Sequence, residues 1–295
     1  MQSADFLSAV FFYLKEGENL NQNWIVENLN NAFSTWNGKL GELWGLVTTG
    51  PHTFKGGAVW SVMQTLHNGM VGIGYALVVL FFAISLCKNT MNFHELKRPE
   101  AAIHYFLRFV AAKALVGYGM DIMLNVFSIC NGIVTDMADS MGGISEAMVS
   151  LPAEMQTAIE NVGFLASIPL WLVTILGSLF ITVLSFVMIL TVYGRFFRLY
   201  MYTALAPLPL AAFAGESTQS VGISFLKSYV GVCLEGAVIV LACVIYSAFV
   251  STPTVTSGEA TTIVWSFLAE TVFNMLVLVG LIKGSDRIIH EMMGL

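Results

Sequence analysis

The chain has 295 residues, of which 56% are hydrophobic and only 11% are charged, against about 25% charged residues in a typical soluble domain. Its 13 basic and 19 acidic residues give a formal net charge of −6, which argues against a nucleic-acid-binding surface. The four cysteines lie in or beside apolar segments without the spacing of metal ligands. We therefore expect buried free thiols, no metal site and no cofactor.

The N-terminal region, residues 1–66, contains a predicted amphipathic helix. Its apolar side chains recur at intervals of three or four residues, which places them on one helical face: Ile25, Leu29, Phe33, Trp36, Leu40 and Leu43. Two interpretations stay open for this helix. It lies on the outer leaflet or folds back onto a helix bundle, or it docks an extracytoplasmic partner.

Residues 67–295 are predicted to form the transmembrane domain. The stretch 161–194 has no charged residue, and as a helix it would measure roughly 50 Å, more than the ~30 Å hydrocarbon core of a bilayer. The sequence thus predicts an all-α polytopic bundle with about five transmembrane helices. Their approximate bounds are 68–87, 107–130, 167–193, 228–250 and 262–282.

The apolar stretch 199–214 is predicted to enter the membrane and return, or to lie along its inner face. It is interrupted by Pro207 and Pro209 and is shorter than the ~20 residues of a straight span. Loop charges support this path. The predicted outer loop 131–162 has no base, whereas three other stretches are basic: 88–98, the turn with Arg195 and Arg198, and the C-terminus. A re-entrant segment puts these basic stretches in the cytoplasm, with the N-terminus outside and the C-terminus inside.

Charges inside apolar segments are candidate functional residues, because each costs on the order of 2.5–3.5 kcal/mol at mid-bilayer. Glu235 is either an ion or proton site or the structural partner of a base such as Arg108 or Lys113, and Asp121 has the same two interpretations. The full candidate set is Glu235, Asp121, Arg108, Lys113, Arg195, Arg198, Pro207 and Pro209.

Catalytic motifs do not stand out. His94-Glu95 is followed by Leu96-Lys97-Arg98, so the HExxH zinc pattern fails. There is no GxSxG elbow and no Walker phosphate loop. We expect a protein that is not an enzyme.

The stretch VYGRFFRLYMYTALAPLPLAAFAGESTQSVGISFLKSYVGVCLEGAVIVLACVIY resembles the TrbL-like family, the polytopic inner-membrane subunit of type IV secretion and conjugative DNA-transfer systems. The resemblance rests on the order of its features: a basic aromatic turn at 195–198, the Ala-Pro-Leu-Pro-Leu segment from 206, a polar patch at 216–218 and a Gly-containing span after 228. The short N-terminal region is similar to versions from mobile elements of Gram-positive bacteria.

The resemblance implies a non-catalytic, oligomeric scaffold or channel component in the cytoplasmic membrane of a bacterium. It would work with a transfer ATPase and a bitopic assembly subunit to pass DNA with its attached relaxase. The acidic outer loop 131–162 makes a direct grip on phosphates unfavourable, so contact with the substrate is expected to be indirect. The alternative function is a small-solute or ion transporter or channel.

Overall fold

The computed structural model describes residues 2–90, 99–140, 148–162, 164–249 and 260–295, and these ranges contain helices and no strand. The all-α prediction is therefore confirmed. Residues 91–98 of the basic stretch and 141–147 of the predicted outer loop lie outside the described residues.

Nine α-helices follow one another in these ranges. They are α1 Gln2–Thr48, α2 Ala58–Thr90, α3 Pro99–Gly117, α4 Gly119–Ser140, α5 Ala153–Glu160, α6 Phe164–Leu205, α7 Pro207–Ala211, α8 Gln219–Phe249 and α9 Ala260–Met293. Short 3-10 turns at Phe54–Gly57 and Ala212–Ala214 precede α2 and follow α7.

Four of these helical segments are long and apolar enough to cross a membrane: Phe54–Lys88, Ser167–Leu205, Gln219–Phe249 and Thr262–Met293. The pair α3 and α4 passes the same test when taken together, although the two helices are bent by 73° at Tyr118. The polytopic bundle with about five spans is thus confirmed. The predicted span 107–130 contains this bend.

The chain forms two compact units, each assembled from separate stretches. Unit one comprises Met1–Trp44, Gly142–Thr191 and Leu241–Lys283, and unit two comprises Gly45–Met141, Val192–Val240 and Gly284–Leu295. The division into an N-terminal region 1–66 and a transmembrane domain 67–295 stays a prediction.

In unit one, α1 turns its predicted apolar face inward, and all six side chains of that face are buried. Phe33 packs edge-to-face on Phe267 of α9, with ring centroids 6.3 Å apart. The Asn28 amide donates to the Ser178 hydroxyl of α6 at 3.1 Å. The amphipathic helix is therefore confirmed, and it folds back onto helices of the same chain.

In unit two, the residues that follow Arg195 run alongside α2 in the same direction. Phe196 stacks on Phe54, with ring centroids 4.1 Å apart. At the other end, the backbone N–H of Glu216 donates to the Ser85 hydroxyl at 3.4 Å. From its first residue, Ala58, to Ser85, α2 covers roughly 40 Å at its normal rise, so the Pro-broken segment accompanies α2 over most of that helix's length.

The proline break has a local cause and a local consequence. Pro207 has no N–H, so the carbonyl of Thr203 four residues earlier lacks its helical partner. Buried His67 of α2 supplies a substitute, because its Nδ1–H donates to the Thr203 carbonyl at 2.7 Å. The break therefore joins α6 to α2 through a hydrogen bond that an unbroken helix could not offer.

Candidate functional site: an arginine and carboxylate network

Arg195 of α6 is a buried cation held by backbone carbonyls. Its side chain is 1% exposed. Nε donates to the Val232 carbonyl at 3.3 Å, Nη2 to the Cys233 carbonyl at 3.1 Å, and Nη1 to the Val47 carbonyl at 3.3 Å. One guanidinium thus connects α6 to α8 and to the end of α1 within unit two.

The C-terminal end of α1 is a favourable place for a cation, because the carbonyl groups there carry partial negative charge. The last four carbonyls of a helix lack intrahelical donors, and they form the negative end of the helix dipole. Val47 and Thr48 are the last two residues of α1. Arg195 donates to the first carbonyl, and the Asn131 amide of α4 donates to the second at 3.1 Å. These two side chains cap α1.

Neighbouring residues leave only enough space for the guanidinium. A Cβ atom at Gly236 would lie 2.7 Å from Nη1 and 2.9 Å from Cζ of Arg195, closer than real Cβ contacts allow. On another side, Cζ lies 6.0 Å from the centroid of the Phe127 ring, which is within cation–π range. A side chain at position 236 would therefore displace the Arg195 guanidinium from the carbonyls that it binds.

Arg198, one helical turn later, binds two carboxylates on two different helices. Its Nη2 lies 2.8 Å and 2.7 Å from the two oxygens of Glu235 in α8. Its Nη1 donates to Asp286 of α9. The Ser285 hydroxyl also donates to Glu235 at 3.2 Å. Charge-assisted bonds of this kind are about twice as strong as neutral ones.

Burial differs sharply across the network. The Glu235 side chain is 1% exposed, that of Arg198 27% and that of Asp286 45%. His290 lies one turn beyond Asp286, with Nε2 at 3.5 Å from Oδ1. The buried carboxylate therefore has its counter-charge directly beside it, while the side chains of Arg198 and Asp286 are partly exposed.

The network holds α6, α8 and α9 of unit two in one arrangement. A buried ion pair adds little net stability, because desolvation offsets the attraction, but removing one partner leaves a costly uncompensated charge. Arg198 carries one positive charge between two carboxylates, and Arg195 adds the second positive charge nearby. Such an internally balanced set of charges fixes helix positions.

The remaining predicted residues lie elsewhere. Arg108 donates from Nη2 to the Gln219 side chain at 3.1 Å, and Lys113 is exposed on α3. Asp121 is exposed in the first turn of α4, where the helix dipole favours an acid. Pro207 is buried and Pro209 partly buried.

The sequence suggested Arg108 and Lys113 as examples of a base that could pair with Glu235. The contact of Glu235 is Arg198, and neither Arg108 nor Lys113 is its partner within the described residues. Sequence reasoning also missed Ser285 and Asp286 of the network, and His67 at the proline break. Asp286 lies among the other charged residues of the C-terminal stretch, and nothing in the sequence singles it out. His67 is a lone histidine in an apolar span, and that pattern was the available signal for it.

No group of three histidine, cysteine, aspartate or glutamate side chains that could hold a metal occurs within the described ranges.

The two basic residues of the predicted turn, Arg195 and Arg198, lie inside the continuous helix α6, which ends only at Leu205.

One family model matches residues 36–207 and carries the description TrbL/VirB6 plasmid conjugal transfer like protein. This range covers more than half of the chain and contains Arg195, Arg198 and the proline break, and it ends before Glu235. No curated protein matches the chain. With its membrane-spanning helices and this match, the chain belongs to the TrbL/VirB6 family of plasmid conjugal transfer proteins.

Proposed function

We propose that this multi-pass membrane protein is a non-catalytic scaffold or channel subunit of a type IV secretion machine for conjugative DNA transfer. It assembles in the cytoplasmic membrane of a bacterium as a homo-oligomer, together with a transfer ATPase and a bitopic assembly subunit. The DNA with its attached relaxase is contacted only indirectly. The family match supports the transfer system, and the charge network supports the scaffold role.

The observation that carries the scaffold role is the pairing of Glu235. A transporter site must release and rebind its ion, which requires a carboxylate with room for exchange. Both oxygens of Glu235 already accept from Arg198, one of them also accepts from Ser285, and the side chain is buried. This arrangement favours a fixed helix contact over the alternative function of ion or solute transport.

Transfer from donor cells tests the proposal. Deletion of the gene should abolish conjugation, and the wild-type gene supplied in trans should restore it. The transfer ATPase should co-purify with the tagged protein from membranes. Normal transfer frequency in the deletion strain would overturn the proposed function. Restoration by the wild type without any co-purifying secretion subunit would argue against the scaffold role.

We further propose that the C-terminus and the network face the cytoplasm. Basic residues from three parts of the sequence, Lys55, Arg195 and Arg287, lie at the end of unit two that contains the network. Lys55 lies 5.0 Å above the Tyr193 ring, two residues before Arg195, and Arg287 follows Asp286 on α9. Clustered bases mark the cytoplasmic side. This orientation places Lys55 on the cytoplasmic side with Arg195, although the loop charges put residues 1–66 outside. Because the candidate span Phe54–Lys88 begins beside Lys55, the orientation also places Lys88 outside and departs from the loop-charge prediction for 88–98. The outside N-terminus itself rests on the loop charges alone.

Cysteine labelling with an impermeant reagent tests this orientation. We expect Lys55→Cys and Arg287→Cys, in a protein whose exposed Cys87 is replaced by serine, to label only after the membrane is opened. Labelling of either one in intact cells would contradict the orientation. Ser217→Cys decides the path of 199–214, since Ser217 follows Glu216 at the far end of α2. Labelling from the same side as Lys55 supports a re-entrant path, and labelling from the opposite side shows a crossing.

A further inference from the structure

Two cysteines lie side by side in the interior of unit two. Cys130 of α4 is 6% exposed and Cys233 of α8 is fully buried, and both are free thiols. Their side chains share a hydrogen bond. The other two cysteines have different surroundings, since Cys87 is exposed and Cys243 lies in unit one. Unit two therefore contains a thiol pair that joins two helices.

A second contact holds the two helices in register. The Tyr229 hydroxyl of α8 donates to the Met123 carbonyl of α4 at 2.8 Å. Cys233 follows Tyr229 by one helical turn, and Cys130 follows Met123 by two turns. Each cysteine therefore lies on the same helical face as the residue that makes this contact. All four residues belong to one buried apolar cluster, so the thiol pair is part of the packed interface between α4 and α8.

This placement suits a disulfide bond. A disulfide requires sulfur atoms about 2 Å apart and Cβ atoms about 3.5–4.5 Å apart. Thiols that already share a hydrogen bond can reach this geometry through small changes in side-chain torsion angles and helix spacing. In a reducing compartment such a pair consists of free thiols at rest, and disulfides that form there are transient and report on oxidation.

The segments that carry the pair also hold the C-terminal end of α1. Asn131, next to Cys130, donates to the last carbonyl of α1 at 3.1 Å. The Cys233 carbonyl accepts from Arg195 at 3.1 Å, and Arg195 also donates to the Val47 carbonyl of α1. A bond between the two cysteines would thus tie together the two segments that cap α1.

We propose that Cys130 and Cys233 form a redox modification site, at which hydrogen peroxide produces a reversible disulfide that locks α4 to α8. One thiol attacks the peroxide, which yields a sulfenic acid and one water. The second thiol then displaces the sulfenic oxygen, which forms the S–S bond and a second water. The two thiols together lose two electrons and two protons, and one peroxide is reduced to two waters.

Burial selects the oxidant, because only a small uncharged molecule such as hydrogen peroxide reaches thiols that are 6% and 0% exposed. This inference does not depend on the role of the protein in DNA transfer.

Thiol titration and peptide mapping of the full-length protein in detergent test the site. Cys87→Ser removes the exposed thiol and leaves three of the four cysteines. After treatment with hydrogen peroxide, we expect the thiols titrated under denaturing conditions to fall from about three to about one per chain. Mass spectrometry should then find a peptide pair linked through Cys130 and Cys233, and dithiothreitol should abolish the link. Absence of this linked pair, or links through Cys243 in equal yield, would overturn the proposal.

Serine variants in the same background assign the oxidation to the pair. Cys243→Ser is the matched control, since it removes a buried cysteine outside the pair, and it should form the linked peptides in full yield. Cys130→Ser and Cys233→Ser should form none. Equal melting temperatures of the reduced proteins verify folding, and the peptide map of the Cys87→Ser protein remains decisive if a pair variant does not fold.

The melting temperature reports whether the bond locks the helices. The disulfide closes a loop of about 100 residues, so oxidation should raise the melting temperature by about 5 °C or more. The increase should occur in the Cys243→Ser control, should be reversed by dithiothreitol and should be absent from both pair variants. Linked peptides without any increase would refute the locking of α4 to α8.

Discussion

Replacing Glu235 by alanine removes the central acceptor of the network and leaves Arg198 with Asp286 as its one remaining carboxylate. The lost contacts are two charge-assisted bonds of 2.8 and 2.7 Å and the 3.2 Å bond from Ser285. The free energy of unfolding should fall, because the guanidinium keeps its desolvation cost but loses its buried counter-charge.

The magnitude follows from burial. Breaking a fully buried ion pair costs about 3–5 kcal/mol. Arg198 is 27% exposed and keeps Asp286, so we expect a smaller loss of about 2–3 kcal/mol. Glu235→Gln keeps one oxygen that can accept from Ser285 and Arg198, so its loss should be about 1 kcal/mol.

Thermal unfolding of the purified protein in detergent, followed by tryptophan fluorescence, measures the difference. A loss of this size should lower the melting temperature by roughly 4–8 °C for the alanine variant. Glu291→Ala is the matched control, because it breaks the exposed Arg287–Glu291 pair on α9, which is worth only about 0.3–0.5 kcal/mol. Its melting temperature should be close to that of the wild type.

Two results would refute the reasoning. Equal melting temperatures for the alanine variant and the control would show that the network does not hold the helices together. A Glu235→Gln protein that folds and assembles normally but supports no transfer would show that the charge itself is required. The second result would promote the ion-transport alternative over the scaffold.

Three further predictions use other contacts of the structure. Arg195→Lys should lower stability by about 2–4 kcal/mol in the same melting assay, because one ammonium cannot reach carbonyls on two helices. Gly74→Ala should lower the melting temperature, since its Cβ would lie 2.9 Å from a backbone carbonyl of the Pro-broken segment. Gly72→Ala, whose Cβ would meet open space, should leave stability unchanged or raise it by up to about 1 kcal/mol. Equal melting temperatures for the two variants would contradict the close packing at Gly74. Asn37→Ala should speed amide hydrogen exchange at Val149, whose backbone N–H and C=O both bond the Asn37 amide at 2.9 and 2.8 Å; unchanged exchange would contradict that role.

The sequence by itself determined the helical class, the membrane-spanning segments and the buried face of α1. These properties depend on local patterns. A long uncharged apolar stretch can satisfy its backbone in lipid only as a helix, and apolar residues at a spacing of three or four define one helical face. The proline break was also readable, because a missing N–H acts within one turn.

Only the tertiary structure decided which charges meet. Arg108, Lys113 and Arg198 were equally available to Glu235 in sequence terms, since helix spacing fixes the face of each helix but not which faces pack together. The choice depends on contacts between residues far apart in the chain, such as Arg198 with Asp286. The same holds for His67 and Thr203. A periodic pattern carries no information on the identity of a partner helix, and that identity is fixed by the packing of all helices at once.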